Sequence, residues 1–278
     1  MALRRQLHRS GRKTTSGTKE WADRNVNCIE GCHNNCRYCY AKMNAKRFGR
    51  MTDKTWANMH IRKTAVLKTY RKTPGRIMFP SSHDIFEFPE FKEACFIVLR
   101  KLLESGNEVL VTTKPRLPVV RDIDTHFSTH REHLQFRFTI TSVDDEVLAF
   151  WEPNASPFEE RIECLRYAFS RNYKTSVSIE PFLDHNPKTL VKAVIPYSTE
   201  SVWLGVMNYI PRNGIPLRDG VHYSEIRRNY ETRHLGEIYE DLRSLPKVRF
   251  KDSIRNRLGL DENGERDGVE PRSSVPVG

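Results

Sequence analysis

The sequence predicts an α/β fold in which six strand and helix units form a partial or complete TIM-like barrel, with a doubly wound sheet as the competing arrangement. Short runs of β-branched and aromatic residues recur along the middle of the chain, each bounded by Gly, Pro, Ser or Asp. Longer stretches with helical character separate these runs. Because strands alternate with helices, we expect a parallel sheet with right-handed crossovers.

The predicted elements follow one another without an internal repeat or linker. Predicted strands occupy residues 25–29, 76–82, 108–114, 135–142, 174–181 and 201–208. Predicted helices occupy residues 51–73, 89–105, 117–130, 157–172 and 187–197, and several have Pro near the first turn, where its missing N–H costs nothing. Ligands of parallel α/β folds bind where the strands end. The residues expected around a site are therefore 32–39, 81–84, Lys114, Thr141, Ser142, Glu180 and Asn208.

The composition is that of a globular protein with one large domain or two small ones. The chain has 278 residues, of which 38% are hydrophobic and 29% charged, and no apolar run approaches the roughly 20 residues of a membrane-spanning helix. Six cysteines without a signal peptide favour a reducing compartment, so we expect a cytoplasmic protein. We expect a basic flexible arm at residues 1–24, a barrel domain at 25–253 and a largely disordered tail at 254–278.

The positive charge is concentrated in residues 37–76. The chain carries a net charge of +11, and this segment contains twelve Lys or Arg residues against one acid, Asp53. Such a cluster attracts polyanions, whereas the alternative is a solvated helix face that serves solubility. The candidates for nucleic-acid binding are Arg47, Arg50, Arg62, Lys63, Arg71 and Lys72.

Three cysteines form the most informative motif of the chain. The spacing Cys32-x3-Cys36-x2-Cys39 places three thiolates on one short loop. Three ligands leave one iron of a 4Fe–4S cluster open to a substrate or cofactor, whereas four complete its ligation. Cys28 is a fourth thiol nearby, so a structural zinc site of four cysteines is the competing interpretation.

This spacing, followed by the aromatic Tyr40, resembles the signature of the radical SAM superfamily. Further segments resemble its spore photoproduct lyase-related branch, which includes DNA-repair-photolyase-like proteins and phage-type relatives. These segments are 39–49, Lys114–Pro115, 139–142, Glu152–Pro153 with Arg161, and 176–181. The resemblance covers residues 25–253 and implies a partial (β/α)6 TIM-like barrel of the radical SAM type.

The resemblance also implies two cofactors and the residues that hold them. In the family, a 4Fe–4S cluster reductively cleaves S-adenosylmethionine to a 5′-deoxyadenosyl radical. The implied cluster ligands are Cys32, Cys36 and Cys39. The implied S-adenosylmethionine contacts are Lys114 for the carboxylate, Thr141 or Ser142 for the ribose, and Ser82 in the segment where relatives hold the amino group.

Two pairs of ionisable residues are further candidates for the site. His83 stands beside Asp84 after the second predicted strand, and together they are a candidate acid/base pair. Glu152 and Arg161 are spaced to connect a loop with the helix after it, and we interpret them as a structural ion pair rather than as catalytic residues.

A nucleic-acid base is the substrate class that these features favour. The related lyases act on thymine-derived lesions in DNA, and the basic segment begins inside the cysteine loop. We therefore expect modification or rearrangement of a base, for example isomerisation of a substituted thymidine in DNA. One alternative is a thymine-lesion repair lyase, whose cysteine hydrogen donor has no counterpart after Cys164. The other is a non-catalytic nucleic-acid-binding protein with a structural metal site.

The expected partners follow from this chemistry. They are nucleic acid, DNA rather than RNA, and an external one-electron reductant such as flavodoxin or ferredoxin. No membrane partner is expected. For a phage-type relative, the expected location is the host cytoplasm.

Overall fold

The structure, a computed structural model, describes residues 16–261 and residue 264. Its strands are β1 (Arg24–Asn25), β2 (Ile29–Glu30), β3 (His60–Ile61), β4 (Arg76–Phe79), β5 (Glu108–Thr113), β6 (Leu134–Thr139), β7 (Lys174–Ile179), β8 (Val202–Leu204) and β9 (Val248–Phe250). Its α-helices are α1 (Tyr40–Arg47), α2 (Lys63–Leu67), α3 (Pro89–Glu104), α4 (Leu117–Phe127), α5 (Asp145–Trp151), α6 (Phe158–Ser170), α7 (Lys188–Val194), α8 (Gly220–Asn229), α9 (Thr232–Leu242) and α10 (Asp252–Leu258). Short 3₁₀ helices occupy Gly17–Glu20, Ser128–His133, Ile195–Tyr197 and Leu217–Asp219.

Seven of the strands form one parallel sheet in the order β1-β4-β5-β6-β7-β8-β9. Within this sheet each strand lies beside the sheet strand that follows it in the sequence. Helical crossovers that all have the same handedness produce this order. Strands β2 and β3 pair separately and antiparallel, on either side of the cysteine loop. The predicted α/β fold with a parallel sheet is confirmed, although it has seven strands rather than six.

The two edges of this sheet lie close to each other. Glu20, which precedes β1 by a few residues, forms ion pairs with Lys251 and Arg255, which follow β9. The backbone N–H of Gly17 also donates to the Asp252 carboxylate at 3.3 Å. Because four residues of chain span at most about 14 Å, the sheet must curl until its edges almost meet. The N-terminal 3₁₀ helix bridges the remaining gap.

Both faces of the sheet are covered, and their chemistry differs. All six residues of β6 are buried, although alternate side chains point to opposite faces. Phe136 and Phe138 pack in the hydrophobic core, whereas Gln135 and Arg137 hydrogen-bond the Ser176 hydroxyl on β7. The interior of the curled sheet is therefore polar, and the helices cover its apolar outer face.

Two predicted elements differ from the structure, and strand β9 is additional to the prediction. Most of the predicted helix 51–73 is irregular, and only α2 is helical. The Thr52 N–H donates to the Thr55 hydroxyl and the Thr55 N–H donates to the Thr52 hydroxyl, and this local turn replaces the start of the predicted helix. The predicted strand 25–29 is divided between β1 and β2. Strand β9 was not predicted, because three residues are too few for a periodicity to be visible.

The predicted arm and tail are wrong for residues 17–24 and 254–260. Trp21 packs edge-on against Trp203 with ring centroids 6.3 Å apart, which fixes the N-terminal segment on the sheet. Ile254 and Leu260 are buried at the other end of the chain. The rest of both predictions, at residues 1–15, 262–263 and 265–278, lies outside the described residues. Within the described part, no helix combines the length and apolarity needed to cross a membrane.

Candidate active site

A cavity of about 320 Å³ lies at the carboxyl end of the parallel sheet. Its walls include residues that directly follow four strands, namely Pro80 to Asp84 after β4, Lys114 after β5, Glu180 after β7 and Lys251 after β9. The three loop cysteines and Asn208 also line it. Most of the residues expected around a site therefore surround one cavity.

The cysteine loop is shaped by its backbone. Gly31, which precedes Cys32, has φ of 86°, and a Cβ there would lie 2.7 Å from the Trp56 carbonyl oxygen. Only glycine fits this position without a shift of the backbone. The N–H of Cys32 donates to the same carbonyl at 2.9 Å, and Cys39 caps the N-terminus of α1. The loop thus leaves strand β2 at a tight turn and enters a helix at its last cysteine.

The loop thiols have the chemistry that a cluster requires. Cys32 and Cys36 are buried, and no described side chain hydrogen-bonds any of the three sulfurs. Burial raises the pKa of Cys36 to about 12, against the attraction of the Lys114 ammonium. Burial likewise raises the pKa of Cys39, although the N–H groups at the start of α1 oppose it. Iron binding would displace these protons, since thiolates are the ligating form.

The four-cysteine zinc interpretation is not supported. Cys28 Sγ lies 3.8 Å from Cys95 Sγ and 4.0 Å from His83 Nε2, and Cys28 is not among the described residues that line the cavity. Among the described residues, no group of three His, Cys, Asp or Glu side chains lies close enough together to bind a single metal ion. A cluster needs no such convergence, because each cysteine binds a different iron.

Iron analysis can separate the roles of these cysteines. After anaerobic reconstitution with iron and sulfide, Cys28→Ser is expected to hold as much iron as the wild type, because its thiol faces Cys95 outside the cavity. Cys36→Ser is expected to lose most of its iron, since it removes a ligand. Both variants replace sulfur by oxygen at a buried position, so each controls for the other. Equal iron loss in the two variants would contradict the three-cysteine assignment.

Asp84 anchors the cysteine loop to the end of β5. Its carboxylate accepts hydrogen bonds from the Asn34 side chain at 2.6 Å, the Ile85 N–H at 2.8 Å and the Lys114 N–H at 3.0 Å. It also accepts one from the Thr113 hydroxyl. All the lone pairs of this buried carboxylate are therefore directed at fixed donors, and Asp84 positions the loop rather than exchanging protons.

His83 is likewise held in a structural role. Its Nε2 accepts the Cys28 N–H at 3.1 Å, so Nδ1 carries the proton and donates it to the Asp84 main-chain oxygen at 3.0 Å. The ring thus binds the backbone of Asp84 and not its carboxylate. The predicted acid/base pair is wrong on this geometry, because both side chains are already committed to other partners.

A buried charge network lies beside the cavity. Arg161 Nη2 is 2.6 Å from Glu152 Oε2, and both side chains are fully buried, which agrees with the structural ion pair predicted from the sequence. The other oxygen of Glu152 accepts hydrogen bonds from Tyr38 and from Thr141, the latter at 2.7 Å. Lys114 Nζ lies 3.8 Å from this oxygen and lines the cavity. Burial disfavours the lysine cation, yet attraction to Glu152 raises its pKa above the ordinary value.

The predicted ribose contacts do not lie at the cavity. Thr141 donates to Glu152 and Ser142 donates to Asp184, and the described lining residues include neither. Strand β6 ends at Thr139, earlier than predicted, and Thr139 lines the cavity with Ser178, its direct neighbour on β7. Polar and apolar residues alternate along β6, and Thr139 follows Gln135 and Arg137 on the polar face, which could have identified it.

Ser82, the fourth residue predicted to bind the cofactor, lines the cavity. The Asn27 side chain holds this turn, because its oxygen accepts the N–H groups of Ser81 and Ser82 at 2.7 and 2.9 Å. Its amide nitrogen donates to the Ser81 hydroxyl at 2.9 Å. Asn27 is therefore a positioning residue, and it was not predicted because it precedes the cysteine motif.

The basic segment leaves the cavity along α1 and continues to the amino end of the sheet, where the Thr73 N–H donates to the Asn107 side chain just before β5. Two of the six predicted nucleic-acid-binding residues share the carboxylate of Glu30, namely Arg50 and Arg62. The other four are exposed and form no ion pair with a described residue: Arg47, Lys63, Arg71 and Lys72. Phe48, which is 68% exposed, contacts only Arg47 among these four, with the guanidinium 5.9 Å from the ring centroid. An exposed aromatic ring next to an exposed cation suits a nucleic-acid surface.

Three aromatic residues complete the cavity, and two of them, Trp21 and Tyr40, were not among the residues expected around a site. Trp21, Tyr38 and Tyr40 line it, and the Tyr40 hydroxyl donates to the Ser81 carbonyl oxygen. Burial raises the pKa of Tyr40 to about 12, so its hydroxyl keeps its proton. Trp21 was missed because it lies in the segment predicted to be a flexible arm.

Comparison with known proteins relates this site to a family. The model of the radical SAM superfamily matches residues 26–194, which is more than half of the chain. The uncharacterized protein ORF301 of Acidianus two-tailed virus is 26% identical over 177 residues, a match that covers 60% of this chain and 57% of the viral protein. This chain thus spans less than two thirds of that relative's length.

Solved structures of spore photoproduct lyase share the fold. A variant with bound AdoMet and dinucleoside spore photoproduct aligns with a TM-score of 0.51 and 14% identity, covering 81% of this chain and 75% of that chain. The lyase complexed with dinucleoside spore photoproduct gives a TM-score of 0.50 at the same identity and coverage. The family match spans the cysteine loop and strands β4 to β7, and this chain therefore belongs to the radical SAM superfamily.

Proposed function

We propose that this radical SAM protein is an enzyme that modifies or rearranges a base in nucleic acid, DNA rather than RNA. One observation carries the proposal. The cavity lined by the three loop thiols is also lined by the first residues of α1, the helix that ends at the exposed Arg47. Eight helical residues span about 12 Å, so Arg47 lies close to the cavity.

The cofactors of the superfamily are S-adenosylmethionine and a 4Fe–4S cluster, which when bound supply a 5′-deoxyadenosyl radical that abstracts hydrogen. Lys114 would pair with the methionine carboxylate, since a buried ammonium is a suitable point charge for it. Thr139 and Ser178 would meet the ribose hydroxyls. The residues that would ligate the cluster are Cys32, Cys36 and Cys39.

Exposed cations at the end of α1, such as Arg47, would hold the phosphate backbone. A target base in a duplex would have to be extruded to enter the cavity, and cations on the backbone would support that displacement. The similar lyase structures contain a dinucleoside lesion, which supports a nucleic-acid substrate. Arg47 and Phe48, at the end of α1, would meet the strand beside the extruded base.

Base modification is favoured over repair of thymine lesions. A repair lyase of the related type uses a cysteine as hydrogen donor besides its cluster ligands. Cys95 and Cys164 are fully buried, and neither is among the described residues that line the cavity. The cavity thus offers a radical no thiol beyond the proposed ligands within the described chain. A repair lyase remains the second candidate, on the strength of the shared fold.

The reaction would need a one-electron donor. Flavodoxin or ferredoxin would fill this role in the cytoplasm, where cysteine-ligated clusters are kept reduced. Both donors are acidic by class, and the net charge of +11 would favour their approach.

Formation of 5′-deoxyadenosine tests the proposed function. The protein is reconstituted anaerobically with iron and sulfide and reduced with S-adenosylmethionine, with and without thymine-deuterated DNA, and the product is followed by mass spectrometry. We expect 5′-deoxyadenosine that increases with DNA and carries deuterium. Cys36→Ala is expected to abolish it, whereas Cys164→Ala, a buried cysteine outside the cavity, retains it.

Other outcomes lead to the alternatives. No product from a fully loaded cluster would support a binding protein with a closed metal site. Product that is unaffected by DNA and carries no deuterium would contradict a DNA base as the hydrogen source. Restoration of thymine from spore photoproduct would favour the repair lyase.

A further inference from the structure

Glu180 is a carboxyl group of the cavity that the residues described so far do not use. It follows β7 directly, lines the cavity and is half-buried. Within the described chain its side chain forms no hydrogen bond and no ion pair. Asp84, the other carboxyl group on the cavity wall, accepts hydrogen bonds from four donors. Glu180 is therefore the acid in this cavity that is free to bind a ligand.

The backbone holds Glu180 in place. A Cβ on Gly205 would lie 2.7 Å from Glu180 Cγ and 2.9 Å from Cδ, so the absence of a side chain at Gly205 makes the room that Glu180 occupies. The Gly205 N–H donates to the Ile179 carbonyl at 3.1 Å, and the Phe182 N–H donates to the Gly205 carbonyl at 3.0 Å. These bonds clamp the chain on both sides of Glu180, so the side chain is positioned without a side-chain partner.

Flat apolar surfaces and unpaired polar atoms lie in the same cavity. Lys251 and Arg137 cover the Trp21 ring. The ring of Tyr40, a residue that is 40% exposed, lines the cavity, and aromatic faces are the common platform for planar bases. The Trp21 indole nitrogen and the Thr112 hydroxyl are buried without a hydrogen-bond partner among the described residues. A ligand with a planar ring and several polar edge atoms would contact both the aromatic lining and these unpaired polar atoms.

The charges around Glu180 allow it to be neutral. Burial raises its pKa to about 7, although the cations of Lys251 and Arg137 oppose this rise. Asp252 and Glu20 act in the same direction as burial, and Lys251 is itself paired with Glu20. A neutral carboxylic acid presents a donor and an acceptor side by side, which is the complement of an adjacent ring carbonyl and ring N–H.

We propose that Glu180 recognises the imide edge of a pyrimidine-dione base, such as thymine, through two parallel hydrogen bonds. The carboxylic O–H donates to a ring carbonyl, and the ring N–H donates to the carboxylic C=O. This inference rests on the proposed function, because it specifies which class of base enters the cavity. It makes Glu180 a specificity-determining residue of the reaction.

Binding of a thymine whose ring N–H is replaced by a methyl group tests this role of Glu180. The probes are a fluorescein-labelled single strand of adenines with one thymine, and the same strand with N3-methylthymine, which lacks the ring N–H. Binding is measured by anisotropy on anaerobic, cluster-loaded protein with S-adenosylmethionine. We expect the wild type to bind the thymine strand about tenfold more tightly than the methylated one, as for one lost pair of buried hydrogen bonds.

Variants of Glu180 distinguish recognition from a structural role. Glu180→Leu is expected to lose the preference for thymine and to bind the methylated strand as the wild type does. Glu180→Gln is expected to keep most of the preference, because an amide offers the same donor and acceptor pair. Glu163→Leu, on the exposed side of α6, is the matched control and is expected to change neither affinity.

The outcomes separate this inference from the proposed function. Equal binding of both strands by the wild type, or an undiminished preference in Glu180→Leu, would overturn the role of Glu180. If DNA still increases 5′-deoxyadenosine formation in that case, the proposed function stands alone. If neither strand binds and DNA has no effect on that product, both proposals fail.

Discussion

The Arg161→Met variant is expected to unfold at a much lower denaturant concentration than the wild type, with a loss of about 3–5 kcal/mol in the free energy of unfolding. Arg161 and Glu152 form a fully buried ion pair, so the substitution leaves a carboxylate in the protein interior without its nearest cation. Methionine fills much of the volume of the arginine stem, and the loss therefore reports the uncompensated charge. Total stabilities are typically about 5–15 kcal/mol, so this variant is close to the limit of folding.

Arg166→Met is the matched control for this prediction. It lies on the same helix α6 and forms an ion pair with Glu159 at 3.2 Å, but both side chains are about half or more exposed. Exposed pairs contribute roughly 0–1 kcal/mol, so the urea midpoint of Arg166→Met is expected to stay near that of the wild type. Similar midpoints for the two variants would refute the importance of the buried pair.

The same pair gives the stability a dependence on pH. Burial disfavours the Glu152 carboxylate, yet Arg161 and Lys114 hold its pKa below the ordinary value. A carboxyl group with a lowered pKa stabilises the folded state above its unfolded pKa of about 4.3, and this contribution is lost as the pH falls further. Acid therefore weakens the wall of the cavity at the network that holds Tyr38 and Lys114.

The Asp84→Asn variant is expected to lose about 3 kcal/mol of stability and much of its iron after reconstitution. Asparagine has one acceptor oxygen, and its NH₂ group would face donors that now bind the carboxylate, including the Lys114 N–H. The bond to Asn34 is one of two that tie this loop residue to the β5 end, the other coming from Arg116, so its loss loosens the loop that carries the thiols. Iron loss is expected even where circular dichroism shows that the variant remains folded.

Asp122→Asn provides the control for this second variant. Asp122 pairs with Lys92 at 2.6 Å, but its side chain is 37% exposed and water can replace the lost contact. We expect a change below about 1 kcal/mol and unchanged iron content. An Asp84→Asn protein with full iron content and wild-type stability would show that Asp84 does not anchor the loop.

Asp84 and Glu152 both hold the cysteine loop in position through their carboxylates. Asp84 fixes the loop from one side, and Glu152 holds Tyr38, a residue of the same loop, from another. Both carboxylates are held by partners, Asp84 by four donors and Glu152 by Arg161, Tyr38 and Thr141, whereas Glu180 forms no hydrogen bond or ion pair within the described residues. Two acids at this site therefore support the loop, and Glu180 is the one that we propose to bind the ligand.

The sequence alone determined the features that depend on local pattern. Helices α3 and α4 and strands β4 and β5 were predicted closely, since each has a periodicity and end signals within its own residues. The cysteine spacing was equally local, because all three thiols lie on one loop. A chain that alternates strands and helices has few topologies open to it, so the parallel sheet could also be predicted.

Only the tertiary structure decided which side chains meet. The roles of Thr139 and Thr141 differ because β6 ends at Thr139, and strand ends depend on pairing with β7 rather than on residue type. His83 and Asp84 are neighbours in the chain, yet their side chains bind Cys28 and Asn34, which are more than 45 residues away. The N-terminal segment looks flexible by composition but is held by residues after β9. Contacts between distant parts of a chain leave no pattern in the local sequence. They could therefore be identified only in the folded structure.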